Sequence, residues 1–139
     1  MQLHERQEKF IARYAIIPDP QERLAAITSR KSTLAPLAPE ERFDALLVPG
    51  CVSRVWIACA VENGNCRFRM DAESALVAGL VSLLCELYDN AAPAEVVATE
   101  PQLLERLGIA VNLSPTRLNG LAHVRGRIRE FAEKAGHRE

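Results

Sequence analysis

The side chains of this chain with chemistry to offer are four cysteines, three histidines and a run of arginines near the carboxyl end. Cys51 stands apart from the other cysteines. It lies in Val48-Pro49-Gly50-Cys51-Val52-Ser53-Arg54-Val55-Trp56, at a Pro-Gly turn, whereas Cys59, Cys66 and Cys85 sit inside apolar patterns. Turns present reactive side chains to partners, and a thiol acts as a nucleophile when it is accessible and at least partly ionised. Arg54, three residues on, is the kind of nearby cation that lowers a thiol pKa. Position alone leaves two readings open: a nucleophile, or a small core residue packed against Leu46, Leu47 and Val48.

A metal site is not expected. The spacing Cys51-x7-Cys59-x6-Cys66 contains no C-x-x-C pair, and His4, His123 and His137 stand away from it in sequence. There is no phosphate-cradling glycine loop, His-Glu-x-x-His helix or G-x-S-x-G elbow. Arg117, Arg125, Arg127 and Arg129 with His123 give the last helix a basic character, read as a solvated face with Glu130 and Glu133 interspersed.

The elements that must position Cys51 follow from periodicity and punctuation. Leu3, Phe10, Ile11 and Tyr14 recur at helical spacing, which predicts a helix over 3–16, ended by Pro18-Asp19-Pro20. Asp19 as cap and Pro20 at the first position then start a second helix reaching about Arg30. Residues 32–42 read as a loop, and Ala45-Leu46-Leu47-Val48 as a brief strand leading into the Cys51 turn. Asn63-Gly64 is a type I′ hairpin signal that pairs Val61 with Cys66, Cys59 with Phe68 and Ile57 with Met70. Alternation puts Val55, Ile57, Cys59, Val61, Cys66, Phe68 and Met70 on a core face. Trp56, Ala58, Ala60, Arg67 and Arg69 fall on the other face, where Trp56 near the Cys51 turn reads either as an exposed interface anchor or as a ring covered by the N-terminal helices. Cys59 and Cys66 become diagonal neighbours roughly 7 Å apart, too far for an undistorted disulfide.

Asp71 is read as the cap of a central helix reaching Tyr88. Its broad apolar arc leaves a narrow strip of Ala75, Gly79, Ser82 and Glu86 to face a close neighbour or water, and Cys85 adjoins the arc as an inert thiol. A helix from Pro93, interrupted near Pro101, ends at Gly108. Ser114-Pro115 starts the last helix, with Leu118, Leu121, Ile128, Phe131 and Ala132 on its buried side. The layout is an α+β two-layer domain with a small antiparallel sheet of about three strands against helices, a single domain over 1–139.

Composition limits the partners. With 48% hydrophobic and 25% charged residues and a formal net charge of −1, there is no electrostatic reason to expect nucleic acid. The polar amino terminus lacks a signal-peptide core, and the longest apolar run, 75–87, is broken by Gly79, Ser82 and Glu86, so neither export nor a membrane span is expected. A cytoplasmic protein with reduced thiols follows.

Three motifs in order resemble the SufE family of sulfur-acceptor proteins, which includes the CsdE type. Gly50-Cys51-Val52-Ser53-Arg54-Val55-Trp56 is similar to its G-C-x-S-x-V-W signature. The resemblance continues through Asp71 to Leu80 and through Leu113-Ser114-Pro115-Thr116-Arg117-Leu118-Asn119-Gly120-Leu121, close to an L-[ST]-P-[ST]-R-x-x-G-L motif, and covers about residues 5 to 135. It implies a two-layer α+β fold shared with IscU-type scaffolds, and a persulfide relay. In that relay Cys51 takes sulfur from a cysteine desulfurase of the SufS or CsdA type, stimulates it, and passes sulfur to an iron–sulfur scaffold. Pyridoxal phosphate then belongs to the partner, and the chain needs no cofactor of its own and is no stand-alone enzyme. Arg117 is expected near the Cys51 loop, favouring its thiolate or holding its conformation, with Glu73, Trp56, Arg54 and Ser53 supporting the site or docking the partner. Where the family has G-[DE]-S-D-A, this chain has Met70-Asp71-Ala72-Glu73-Ser74, and Ala78 replaces a basic residue before Gly79; both departures touch docking. Apolar Leu46, Leu47 and Val48 suggest that Cys51 rests tucked inward and swings out on docking. The rival reading is an IscU-like scaffold binding metal or a nascent cluster directly, and a third is a desulfurase regulator that carries no sulfur. Homodimerisation is left open.

Overall fold

The computed structural model describes residues 2–51 and 53–137, the side chain of His137 excepted. Helices α1 (Leu3–Ala15) and α2 (Pro20–Ser29) precede the hairpin β1 (Val55–Glu62) and β2 (Asn65–Ala72). Helices α3 (Ala75–Tyr88), α4 (Pro93–Ala98), α5 (Leu103–Arg106) and α6 (Pro115–His137) follow. The architecture is α+β, with helices packed on a small antiparallel sheet.

The hairpin forms in the expected register, Val61 opposite Cys66, Cys59 opposite Phe68 and Ile57 opposite Met70. Its turn residues take positive φ, 53° at Asn63 and 79° at Gly64, as a type I′ turn demands. Val55, Ile57, Cys66 and Phe68 are buried, and α3 crosses β2 over them. The core face fades toward the turn, where Val61 is exposed.

Among the described residues the sheet has two strands rather than three. Residues Asp44–Leu46 form a 3-10 turn, and the segment pairs with β1 through a bridge between Leu47 and Trp56, with Val48 N donating to Val55 O at 2.9 Å. Pro49 and Gly50 stop the run before a ladder can grow. The start of α3 also differs. Asp71 is still paired opposite Trp56 in the sheet, so the cap falls to Ser74, whose hydroxyl accepts from Val77 N at 3.4 Å. The strip on α3 meets a close neighbour: a Cβ at Gly79 would stand 2.6 Å from the Cα of Thr28, so α2 lies directly against it. Ser82 joins that seam by bonding Ser32 (2.8 Å) and Glu86 (3.0 Å), and Glu86 pairs with Arg30.

Long side chains from α1 fix the far end of α3. Arg6 donates to the carbonyls of Leu87 (2.8 Å) and Asp89 (2.6 Å), the acceptors that a helix leaves unsatisfied at its carboxyl end. Helix α6 closes the domain with Leu121, Val124, Ile128 and Ala132 buried and Phe131 edge-on to Phe68 at 6.1 Å between centroids. Leu118, expected inside, is exposed because it lies on the first turn, beyond the rest of the core. Among the described residues no helix is long and apolar enough to cross a membrane.

Candidate functional site

Cys51 sits on the connection between the 3-10 turn and β1, and Gly50 makes that connection possible. Its φ of +85° lies where side chains are disfavoured, and a Cβ there would stand 2.6 Å from Cδ2 and Nε2 of the His123 ring on α6. The turn aims the Cys51 thiol inward. Its Sγ donates to the carbonyl of Gly120 on α6 at 3.5 Å.

The thiol forms part of the wall of a cavity of about 180 Å³ between β1, α3 and α6. Val55, Val77, Leu80, Val81, Leu121 and Val124 make it apolar, while Ser53, Ser114, Thr116 and Arg117 supply its polar edge. Cys51 is half-buried, packed against the core and sharing the cavity wall with residues of α3 and α6. Burial pushes its pKa up, so the resting thiol holds its proton at neutral pH.

Arg117 lines the same cavity as Cys51. Burial is the cause that raises the thiol pKa. Arg54 and Glu73 act on the loop through the backbone. The Glu73 carboxylate accepts from Arg54 N at 3.0 Å and Glu73 N donates to Arg54 O at 3.1 Å, which ties off the loop where it enters β1. Ser53 is half-buried at the cavity edge.

Trp56 is the clear correction. It is 4% exposed, not an open anchor, because Leu47 bridges to it and the Arg42 guanidinium covers its ring at 4.6 Å while bonding Asp71, the residue opposite Trp56. A two-strand sheet has no second layer on that face, so the preceding loop covers it instead.

The solvated reading of the basic face on α6 fails at two residues. Arg125 is 8% exposed, lying over the Tyr88 ring at 4.7 Å and donating to Val97 O. Arg127 donates to Leu47 O at 3.1 Å and Ala45 O at 2.8 Å. Arg129 keeps to the surface with Glu133 and Glu100. Sequence patterning alone could not separate these arginines; the signal available was that His123 and Arg127 follow Gly120 on one ridge of a helix already holding a site motif.

The remaining cysteines are placed as expected. Cys66 and Cys85 are fully buried, and Cys59 is partly covered, with burial foremost in pushing its pKa up to about 11. Burial likewise holds Cys85 well above the ordinary thiol range. Among the described residues no group of three or more His, Cys, Asp or Glu side chains is placed to hold a metal ion.

A two-layer α+β domain with one turn-mounted thiol over an apolar cavity defines a class, and comparison with known proteins supplies the family. The SufE family, described as an Fe-S metabolism associated domain, matches residues 8–132. The chain belongs to the SufE family. It is 33% identical over 116 residues to an uncharacterised SufE-like protein of Synechocystis sp., covering 84% of this chain and 73% of that protein. It is also 29% identical over 131 residues to an uncharacterised SufE-like protein of Rhizobium etli, covering 91% and 88%. A solution structure of a hypothetical protein from Thermus thermophilus superposes with a TM-score of 0.75 at 20% identity, covering 94% of this chain and 95% of that one, which speaks to the fold.

Proposed function

We propose that this protein is a sulfur carrier that accepts persulfide sulfur from a cysteine desulfurase onto Cys51, stimulates that enzyme, and hands the sulfur on for iron–sulfur cluster assembly. The observation that carries this reading is the setting of Cys51: a thiol at a glycine turn, reached by one loop and held against a cavity wall. Transfer requires a thiolate. The Cys51 sulfur attacks the outer sulfur of the donor persulfide, a new S–S bond forms, the old one breaks, and the donor cysteine leaves as thiolate. The Cys51 proton passes in net terms to that leaving thiolate, so donor persulfide plus carrier thiol becomes donor thiol plus carrier persulfide.

A protonated resting thiol suits this role. Held neutral in apolar surroundings, Cys51 is a poor target for stray oxidants, and docking that draws the loop outward removes the burial that keeps its pKa up. Pyridoxal phosphate is needed by the partner alone, and the exchange takes place in the cytoplasm, with an iron–sulfur scaffold as the next acceptor. Arg117, at the polar edge of the cavity, is well placed to meet the thiolate as it forms.

Mass spectrometry of the protein after incubation with a pyridoxal-phosphate desulfurase and cysteine tests the proposal. The expected result is added sulfur on the peptide containing Cys51 and none in Cys51→Ser. Unmodified wild-type protein under conditions where the desulfurase turns over would overturn it, and stimulation retained in Cys51→Ser would make the protein a regulator instead.

A further inference from the structure

One ridge of α6 grips the Cys51 loop at three successive points. Gly120 O takes the thiol at 3.5 Å. One turn on, the His123 ring lies over the Gly50 backbone, so close that a methyl on Gly50 would meet it at 2.6 Å. Another turn on, Arg127 donates through both Nη atoms to the carbonyls of Leu47 and Ala45, at 3.1 and 2.8 Å. Spacings of three and four residues put these groups on one face of the helix. The stem of the loop, its glycine and its thiol are thus fastened to a single rigid element.

The loop has few competing restraints on this side. Pro49 and Gly50 are exposed, and among the described residues the stem joins β1 through the Leu47 bridge and the Val48 hydrogen bond. Arg127 meets two carbonyls of the stem, and a charged donor makes each bond stronger than a neutral one would. Asn119 lies 3.5 Å from Nε2 of His123, on the same side of the ridge.

We infer that His123 and Arg127 are positioning residues that clasp the Cys51 loop in its inward state, setting how readily the thiol is released for sulfur transfer. This rests on the carrier role of Cys51. Through the clasp, a partner that contacts His123 or competes for the Leu47 and Ala45 carbonyls frees the cysteine, and an unpartnered protein keeps it in.

Alkylation of the folded protein by iodoacetamide, resolved peptide by peptide, tests the clasp without any desulfurase. Arg127→Ala and His123→Ala are each expected to raise the Cys51 rate about tenfold, the effect of losing one charge-assisted contact or a close-packed ring, with Arg127→Lys falling between. Cys85, fully buried and away from both clasp residues, serves as the internal reporter, and its rate should not move. Arg129→Ala, on the same helix but bonded only to Glu133 and Glu100, should match wild type. Unchanged Cys51 rates in both clasp variants overturn the inference, as does a parallel rise at Cys85, which would mean general loosening. A clasp effect on alkylation in a protein that accepts no sulfur from a desulfurase would sink the carrier role while leaving the clasp standing.

Discussion

Replacing Gly79 by Ala sets two effects of opposite sign against each other. In the middle of a helix the change ordinarily stabilises by about 1 kcal/mol, because alanine loses less backbone entropy. At Gly79 the new methyl would stand 2.6 Å from the Cα of Thr28 and 3.2 Å from its Cβ and Cγ2. The nearest of these atoms is backbone, so no side-chain rotation relieves the contact. Restoring an ordinary carbon–carbon separation requires α2 to back away by about 1 Å. That movement pulls on Ile27, which is fully buried, and on the Arg30–Glu86 and Ser32–Ser82 pairs along the same seam. Overpacking of this kind costs about 1–3 kcal/mol, so sterics should cancel or outweigh the gain and the net loss should be up to about 2 kcal/mol. Gly126 is the matched control: it is also within a helix, but nothing lies within 4 Å of a Cβ built there, so Gly126→Ala should gain up to about 1 kcal/mol. Urea unfolding of the two variants beside wild type measures the difference. Should Gly79→Ala prove as stable as Gly126→Ala, the close approach of α2 to α3 is wrong.

Other outcomes follow from the same geometry. Gly50→Ala places a side chain at φ +85° and against His123, and is expected to lose about 1–3 kcal/mol or to relieve that strain by opening the loop; an unchanged unfolding midpoint together with an unchanged Cys51 alkylation rate would contradict it. Because burial raises the Cys51 pKa, its alkylation should rise with pH along a curve displaced upward from that of a free cysteine; a midpoint below the free-cysteine value would point to a cation the structure does not place there. Cys59, raised from 9.0 to about 11, binds its proton more tightly folded than unfolded, so its contribution is intact below pH 9 and is lost as pH rises from 9 to about 11. Stability measured across that window should fall less steeply in Cys59→Ala. Arg42→Ala uncovers the ring of Trp56, and red-shifted tryptophan fluorescence with a loss of about 1 kcal/mol is the expected result; an unmoved spectrum would mean the guanidinium is not what shields it.

Where interactions are local, the order of residues was enough. Asn63-Gly64 fixes the hairpin and its register because only residues that accept positive φ make that turn, and the two-residue loop leaves one way to pair the strands. Asp19-Pro20 and Ser114-Pro115 mark helix starts for the same reason, their backbone chemistry being settled within a few residues. The Pro-Gly turn before Cys51 was likewise legible, and so was its distinction from the other cysteines. What depended on distant parts of the chain was not. Trp56 alternates onto the outer face of β1, yet Arg42 and Leu47 bury it, a fact that no period-two pattern contains. Arg125, Arg127 and Arg129 look alike in sequence, and only packing sends the first over Tyr88, the second to the loop carbonyls and the third to solvent. The state of Cys51 is the same kind of fact: its type and turn come from the sequence, but its raised pKa arises because α3 and α6 exclude water around it. Desolvation depends on what assembles around a group, and that is decided only when the chain folds.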